Sequence, residues 1–191
     1  MTNAVLDAIA TRDSCRAYTK EPVSQEIVEA IALAGVQAPS SRGNAPWKIV
    51  VVTDPDLIKD ISDSALRLMV RHDPDGVDQF ASQTIFFDAP VVFVLAAHRT
   101  WDYSSEDLDI GLATENIVLA ATGLGLGSLI CGDATQAFRD LKSDDADRLY
   151  QRLGIPREYE MTISVAVGHR DASPTPHTPD LSAVTYIWAA D

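Results

Sequence analysis

The sequence predicts one domain that mixes α-helices with β-strands. The first observation is three apolar runs that are typical of buried strands, at residues 47–52, 90–97 and 161–167. The second is that amphipathic segments with helical spacing separate these runs along the chain. The third is size, because 191 residues that are 46% hydrophobic and 23% charged can bury one sizeable core. We therefore expect a single globular unit over residues 1–191, with no internal repeat and no linker.

Apolar periodicity and capping residues predict the helices. A short helix over residues 3–10 precedes an extended stretch, and Ser24 fits the N-cap of a helix that continues to about Gln37. Val23 and Val28 are placed as a hydrophobic staple at the start of that helix. Further helices are expected at residues 56–71, 78–86, 138–141 and 145–153.

The longest predicted helix extends from an N-cap at Ser105 to Leu124 and is apolar around much of its circumference. Small residues along it allow another helix to approach closely, so it is the centre of the domain, a subunit interface, or both. These small residues are Ala113, Ala120, Ala121 and Gly123. A short strand is expected at residues 128–132. A proline-rich stretch at residues 173–179 then leads to an apolar end at residues 186–188, which needs a partner surface.

Charge and hydropathy exclude several kinds of partner. The chain has 28 Asp and Glu against 15 Lys and Arg, a net charge of -13, which makes binding to nucleic acid or to an anionic membrane unfavourable. The start lacks the features of a signal peptide, and no segment offers about 18 uncharged apolar residues. We expect a soluble, cytoplasmic protein. No metal site is expected, because Cys15, Cys131 and the histidines lack ligand spacing.

Arg12, Ser14 and Arg16 form the first candidate binding element. Because they recur at a period of two, an extended backbone turns all three side chains to one face. Arginine grips a phosphate with two N–H groups at once and a hydroxyl adds a donor, so the set suits a nucleotide phosphate. Two neighbouring arginines on a surface are more often solvated or paired with acids. This pattern alone therefore leaves both interpretations open.

Two backbone elements are candidates for contact with a flat ring. The stretch Pro39-Ser-Ser-Arg-Gly-Asn44 offers amides and small side chains just before a strand, and Gly132 lets a ligand approach the backbone closely. In isolation, a plain connection and a bare turn are the commoner explanations. Cys131 has no neighbouring His, so a nucleophilic thiol is not expected. The run Gly123-Leu-Gly-Leu-Gly127 ends a helix and precedes a strand, whereas a dinucleotide-binding loop has the reverse order.

Taken together, these elements resemble the nitroreductase family in their order and separation. The similar stretches are Arg12-Asp-Ser-Cys-Arg16, Ala38-Pro-Ser-Ser41 with Pro46-Trp47, Phe86-Phe-Asp-Ala-Pro90, Glu115-Asn116 through Gly132, and Leu153-Gly-Ile-Pro156 before Val165-Ala-Val-Gly168. They keep one register over most of the chain, which makes the resemblance specific. It implies an α+β fold with a mostly antiparallel central sheet flanked by helices. It also implies an intertwined homodimer with two FMN sites at the interface.

The resemblance further implies roles for individual residues. The implied cofactor-binding residues are Arg12, Asp13, Ser14 and Arg16 at the FMN phosphate and ribityl chain, Pro39, Ser40, Ser41 and Asn44 at the isoalloxazine ring, and Cys131 and Gly132, from the other subunit, at the N5 side of the ring. No catalytic side chain is implied, because the flavin carries the hydride. NAD(P)H would be the co-substrate and a nitroaromatic or quinone the acceptor. Their use of one place in turn implies ping-pong kinetics.

Three departures from the family pattern leave alternatives open. Asp13 stands where the family commonly has a basic residue, and Gly43-Asn-Ala45 replaces an Asn-x-Gln pattern. Residues 171–191 contain no Lys or Arg, although the family usually supplies a further cation there; Arg42 and Arg170 are candidates to replace it. The alternatives are a flavin-dependent oxidase or dehydrogenase of a specialised metabolite, and a dimer that has lost redox activity.

Overall fold

The described residues contain four strands that form one antiparallel sheet. The computed structural model describes residues 3–72, 80, 83–99, 105–139 and 144–189. The strands are β1 (Trp47–Val52), β2 (Val91–His98), β3 (Gly127–Cys131) and β4 (Tyr159–Gly168). Their order across the sheet is β1-β2-β4-β3, and each neighbouring pair is antiparallel. The α+β fold with a mostly antiparallel sheet is therefore confirmed.

Helices precede and follow the strands much as the periodicity predicts. They are α1 (Ala4–Thr11), α2 (Gln25–Val36), α3 (Pro55–His72), α4 (Glu106–Gly123), α5 (Gln136–Arg139) and α6 (Asp144–Leu153). The predicted cap of α2 is confirmed, because the Ser24 hydroxyl accepts a hydrogen bond from the N–H of Ile27. Ser105 precedes α4 as expected, but its side chain makes no capping hydrogen bond.

The helix predicted at residues 78–86 does not extend to its predicted end. Residue 80 is 3₁₀-helical, whereas residues 83–86 form a bend and the start of a turn; residues 78–79 and 81–82 lie outside the described residues. The physical reason is a local side-chain competition: Asp88 accepts from the N–H of Thr84 at 2.9 Å, and the Thr84 hydroxyl accepts from the N–H of Asp88 at 3.1 Å. Phe87 and Asp88 also have positive φ, which a helix does not allow. Residues 140–141 of another predicted helix lie outside the described residues.

Helices cover both faces of the sheet, and β2 is buried on both sides. Val92, Val94 and Ala96 pack in a cluster with α3, α5 and α6. Val91, Phe93, Leu95 and Ala97 pack with α2 and α4 on the other face. These alternating contacts follow from the period of two in a strand. Each fully buried Val, Leu or Phe side chain contributes about 1.5–3 kcal/mol, so β2 is the centre of the core.

Apolar side chains remain exposed on α1, on α4 and at the C-terminal end. Val5, Leu6 and Ile9 of α1 and Leu108 of α4 are each at least 50% exposed, and these two helices pack against each other. Residues 173–189, which we call the arm, are exposed throughout, and Tyr186 stacks on Trp188. Soluble monomers rarely expose large contiguous apolar patches, so the exposed apolar side chains of the packed helices α1 and α4 have the character of an interface. None of the described helices combines the length and apolar character needed to cross a membrane.

Candidate functional site

The basic segment, residues 12–16, leaves α1 as extended chain with alternating side chains. Asp13 and Cys15 are buried, whereas Ser14 and Arg16 are exposed and Arg12 is half-buried. The alternation that the sequence predicts is therefore present, and Arg12, Ser14 and Arg16 share the outward face.

Arg12 and Arg16 make no ion pair within the described part of the chain, although the chain has 28 acidic residues. Arg16 instead donates to the carbonyl of Ser14 at 3.3 Å, and its guanidinium carbon lies 5.9 Å from the centre of the Phe87 ring. Other arginines do have carboxylate partners: Arg67, Arg99, Arg148, Arg152, Arg157 and Arg170. Two unpaired arginines beside a hydroxyl on one face form a surface that suits an anion.

Backbone pairing fixes the basic segment along the outer edge of β3. Ser14 forms a parallel bridge with Ser128, and the N–H of Cys15 donates to the Ser128 carbonyl at 2.9 Å. Gly127 permits this approach, because a Cβ there would lie 2.5 Å from the sulfur of Cys15. The basic segment therefore extends the sheet beyond β3.

Asp13 points away from the outward face and into the protein. Its carboxylate is 7% exposed, and it accepts from the guanidinium of Arg170 and from the N–H of Thr175 at 2.8 Å. Burial alone would raise the pKa of Asp13, but these hydrogen bonds outweigh burial and hold the pKa below its ordinary value. Arg170, one candidate for the missing cation, is thus engaged by a carboxylate. Cofactor contact by Asp13 stays a prediction, which this orientation disfavours.

The serine loop, residues 39–45, has a constrained backbone. Arg42 and Ala45 have φ values of 55° and 46°, a region that non-glycine residues rarely adopt. The hydroxyl of Ser40 accepts from the N–H of Ala45 at 2.9 Å, which closes the loop on itself. Pro39 and Asn44 are exposed, and Ser40 and Ser41 are half-buried. The loop therefore presents small polar groups in one fixed shape.

Asp109 of α4 holds the serine loop, although it is not among the site residues predicted from the sequence. This carboxylate is 3% exposed and accepts from the N–H of Ser41 at 2.9 Å. It lies near the N-terminus of α4, where the helix dipole stabilises a negative charge. A signal was present in the sequence, because Asp109 lies one and two turns before Ala113 and Ile117, which are fully buried. Phe87, beside Arg16, was also missed and has no comparable signal.

Cys131 and Gly132, which we call the glycine turn, end β3. Burial raises the pKa of the Cys131 thiol to about 11, so the group is protonated at neutral pH and ill suited as a nucleophile. Gly132 has an ordinary φ of -76°, and a Cβ there would meet only the Cδ1 of Ile163, at 3.8 Å. Its N–H donates to none of the described residues. The protein's own packing therefore does not require glycine here, whereas a ligand at this amide would.

The structure brings the basic segment and the glycine turn together, because both lie along β3. Ser128, which pairs with Ser14, is three residues from Cys131, or about 10 Å along the strand. The serine loop leads into β1 at the opposite edge of the sheet, about 14 Å away across three strand spacings. A contribution of the glycine turn from another subunit stays a prediction, which this placement within one chain disfavours. Within one chain, the serine loop lies far from both the basic segment and the glycine turn.

Comparison with known proteins agrees with this architecture. A model of the Nitroreductase family matches residues 9–169. The chain belongs to the nitroreductase family. The matched residues include the basic segment, the serine loop and the glycine turn, whereas Arg170 and the arm lie beyond them.

Solved structures and curated sequences that are similar to this chain include nitroreductases. A nitroreductase with bound FMN from Desulfitobacterium hafniense DCB-2 has a TM-score of 0.90 and 32% identity, covering 98% of this chain and 100% of that one. A protein of Archaeoglobus fulgidus named as an NADH dehydrogenase or NAD(P)H nitroreductase is 29% identical over 86% of this chain and 84% of its own length. A nitrobenzene nitroreductase of Ectopseudomonas oleovorans is 25% identical over 87% of each chain.

Among the residues that the structure describes, no cluster of His, Cys, Asp or Glu is arranged to hold a metal ion.

Proposed function

We propose that this nitroreductase-family protein is an NAD(P)H-dependent FMN oxidoreductase that reduces a nitroaromatic, a quinone or a similar acceptor. The observation that carries the proposal lies along one strand edge. There Arg12 and Arg16 have no carboxylate partner, and the N–H of Gly132 has no acceptor, among the described residues. A ligand with a phosphate at one end and a ring that accepts a hydrogen bond at the other fits this arrangement. The FMN bound to the structural relative from Desulfitobacterium supports FMN as that ligand.

Arg12, Ser14 and Arg16 would hold the FMN phosphate and the adjoining ribityl chain. Their guanidinium and hydroxyl donors face outward together, and charge-assisted bonds from arginine to phosphate are the strongest of this kind. Because Arg170 is engaged by Asp13, the phosphate would rest on these side chains of the basic segment. This accounts for phosphate binding without a basic residue in the arm.

Gly132 would donate its N–H to the N5 side of the ring. The absence of a Cβ leaves room for a ring edge at this amide, and the short turn after β3 fixes the direction of the donor. Such a fixed donor stabilises charge that moves into the ring on reduction. Cys131 would contribute backbone only, because its thiol is buried and protonated.

Pro39, Ser40, Ser41 and Asn44 would line the ring from a second copy of the chain. Their loop lies at the sheet edge opposite to the glycine turn, so one copy does not surround a ring by itself. The exposed apolar side chains of α1 and α4 provide a surface on which two copies associate. The proposal is therefore a homodimer in which each site takes its serine loop from the partner.

FMN, when bound, would supply the redox chemistry that links NAD(P)H oxidation to reduction of the acceptor. The chain's own residues bind the phosphate, orient the ring and stabilise its charge; no side-chain acid or base is assigned. NAD(P)H and the acceptor would occupy one exposed place in turn. Initial rates at several concentrations of both substrates should then give the parallel reciprocal plots of ping-pong kinetics.

The first test is the absorbance spectrum of the purified protein from 300 to 550 nm, before and after addition of NADH or NADPH without air. We expect flavin bands that bleach on addition. Bands that bleach only with another reductant, with turnover by oxygen, would support the oxidase or dehydrogenase alternative. A protein that stays colourless after incubation with FMN would contradict the proposal and support the inactive dimer.

The dimer has a separate test. The chain has a mass of 20.7 kDa. Sedimentation at micromolar concentration should give a species of twice that mass. A monomer that binds FMN stoichiometrically would contradict the shared site while leaving the flavin assignment intact.

A further inference from the structure

The arm begins at a carboxylate that the proposed flavin site does not use. Asp13 lies between Arg12 and Ser14 in the basic segment, but its side chain points to the opposite side. There it accepts the guanidinium of Arg170 and the N–H of Thr175, and the Thr175 hydroxyl lies 3.5 Å from the same oxygen. One buried charge therefore touches the chain on both sides of the point where the arm starts.

Thr175 makes the last hydrogen bond from the arm to the rest of its own chain among the described residues. Upstream, the N–H of Thr19 donates to His169 at 2.9 Å, and the N–H of Asp171 donates to Ala17 at 3.0 Å. Beyond Thr175, the hydrogen bonds of the arm with described residues lie within the arm itself, around Asp180. Its apolar side chains Leu181, Ile187 and Trp188 are 80%, 93% and 79% exposed. Asp13 thus fixes where the arm leaves the molecule.

We propose that Asp13 is a positioning residue that couples flavin binding to docking of the arm. The inference rests on the proposed FMN site and dimer. Arg12 and Ser14 flank Asp13 in extended chain, so the ties from Asp13 to Arg170 and Thr175 also fix the backbone that carries the phosphate donors. The apolar end of the arm docks on the second copy of the dimer. Because coupling between two binding events is reciprocal, bound FMN and a docked arm stabilise each other.

The direction in which FMN affinity changes when Asp13 is neutralised distinguishes a positioning role from simple charge repulsion. If Asp13 acted only as a negative charge close to the phosphate, neutralising it would tighten FMN binding. If Asp13 positions the basic segment, the isosteric change Asp13→Asn removes the charge that holds Arg170 and weakens FMN binding. The two mechanisms therefore predict opposite changes in one measured constant.

The experiment measures FMN affinity and hydrogen exchange of the arm in the full-length protein. Asp13→Asn should raise the Kd for FMN about tenfold, the loss expected for one charge-assisted hydrogen bond. Thr175→Pro removes the N–H that Asp13 accepts, together with the hydroxyl, at an exposed position between two prolines, and should also raise the Kd. In the wild type, added FMN should slow amide exchange in residues 177–189. That protection should be lost in both variants.

Two matched controls should behave like the wild type. Asp171→Asn makes the same charge change at an exposed neighbouring site, and Thr175→Ala keeps the N–H while removing the hydroxyl. Unchanged or tighter FMN binding in Asp13→Asn and Thr175→Pro would overturn the inference alone, and so would an equal loss in the controls. Failure of the wild type to bind FMN would overturn the proposed function and the coupling with it.

Discussion

Two groups of arginines in this molecule look alike in sequence and differ in what surrounds them. On the face formed by α3 and α6, Arg148 and Arg152 both contact Asp60, and Arg67 contacts Asp145. The hydrogen bonds that Asp60 accepts, first from Arg148 and then from Arg152, hold its pKa below the ordinary value, against the effect of burial. The positive charges of this group are neutralised inside the chain. Its role is to join α3 to α6.

The basic segment has the opposite character. Arg12 and Arg16 make no ion pair with described residues, in a protein with a net charge of -13. The nearest carboxylate in sequence, Asp13, is turned inward and occupied by Arg170. Clustering of arginines therefore carries little information until their partners are known. The arginines without partners are the ones to test for an anion.

The largest effect is expected from removing a charge in the unpaired group. Arg16→Ala should weaken FMN binding by about 1.5–3 kcal/mol, or tenfold and more, because it deletes a charge-assisted contact with phosphate. The stability of the apoprotein should change little, since Arg16 has no carboxylate partner among the described residues. Titration of the apoprotein with FMN, followed by flavin fluorescence, measures the affinity.

Arg148→Ala is the matched control from the paired group. It should leave FMN affinity at the wild-type value. If both arginine variants changed FMN affinity equally, or neither did, the distinction between the two groups would be wrong.

The next effect concerns the glycine turn. Gly132→Ala should keep or raise stability, by about 0.4–1 kcal/mol, because its φ is ordinary and the added Cβ meets only Ile163 at 3.8 Å. FMN affinity should fall about tenfold, since the methyl group occupies the space of the ring edge. Gly168→Ala supplies the contrast, because its Cβ would lie 2.7 Å from Pro90 and should destabilise the fold. If Gly132→Ala bound FMN with the wild-type affinity, the Gly132 amide would not be part of the FMN site.

Much of the fold and the outward face of the basic segment could be predicted from local pattern. Strands β1, β2 and β4 are apolar runs, and the cap at Ser24 is a local signal, so a few neighbouring residues decide each of them. The positions of Arg12, Ser14 and Arg16 follow from strand periodicity in the same way. The antiparallel order of the strands came from the family resemblance, not from the pattern itself.

The remaining features depend on contacts between distant residues. Asp13 contacts Arg170, which is 157 positions later in the chain. Asp109 contacts Ser41, from which it is separated by 68 positions. Strand periodicity places Asp13 on the face opposite to Arg12 and Ser14. No local pattern identifies Arg170 as the partner of Asp13, or Ser41 as the partner of Asp109. The turn that replaces the helix at residues 83–86 depends on Thr84 and Asp88 bonding to backbone, which helix propensity does not detect. Tertiary and side-chain-to-backbone contacts determine the local structure at these residues.

A smaller effect is expected within the paired group. Asp60→Asn should lower the free energy of unfolding by about 1 kcal/mol, because Asp60 is the shared acceptor of two partly exposed arginines. Asp63→Asn, which breaks the exposed pair with Lys59 in the same helix, should cost only about 0.3–0.5 kcal/mol. Urea unfolding of the three proteins tests this order, and FMN affinity should be the same in all of them. Equal costs would mean that the shared contact adds nothing.

The smallest effect is a difference in pH dependence between the two groups. The folded pKa of Asp60 is lowered, so its contribution to stability is complete above the unfolded pKa of about 3.9 and is lost as the pH falls through the folded pKa. The stability gap between wild type and Asp60→Asn should thus stay constant from pH 7 to 5 and close below about pH 4. A phosphate monoester instead takes up a proton near pH 6, so the gap in FMN affinity between wild type and Arg16→Ala should already narrow between pH 7 and 5. Gaps that close over the same pH range would mean that Arg16 does not interact with a phosphate, because its partner would then titrate like a carboxylate.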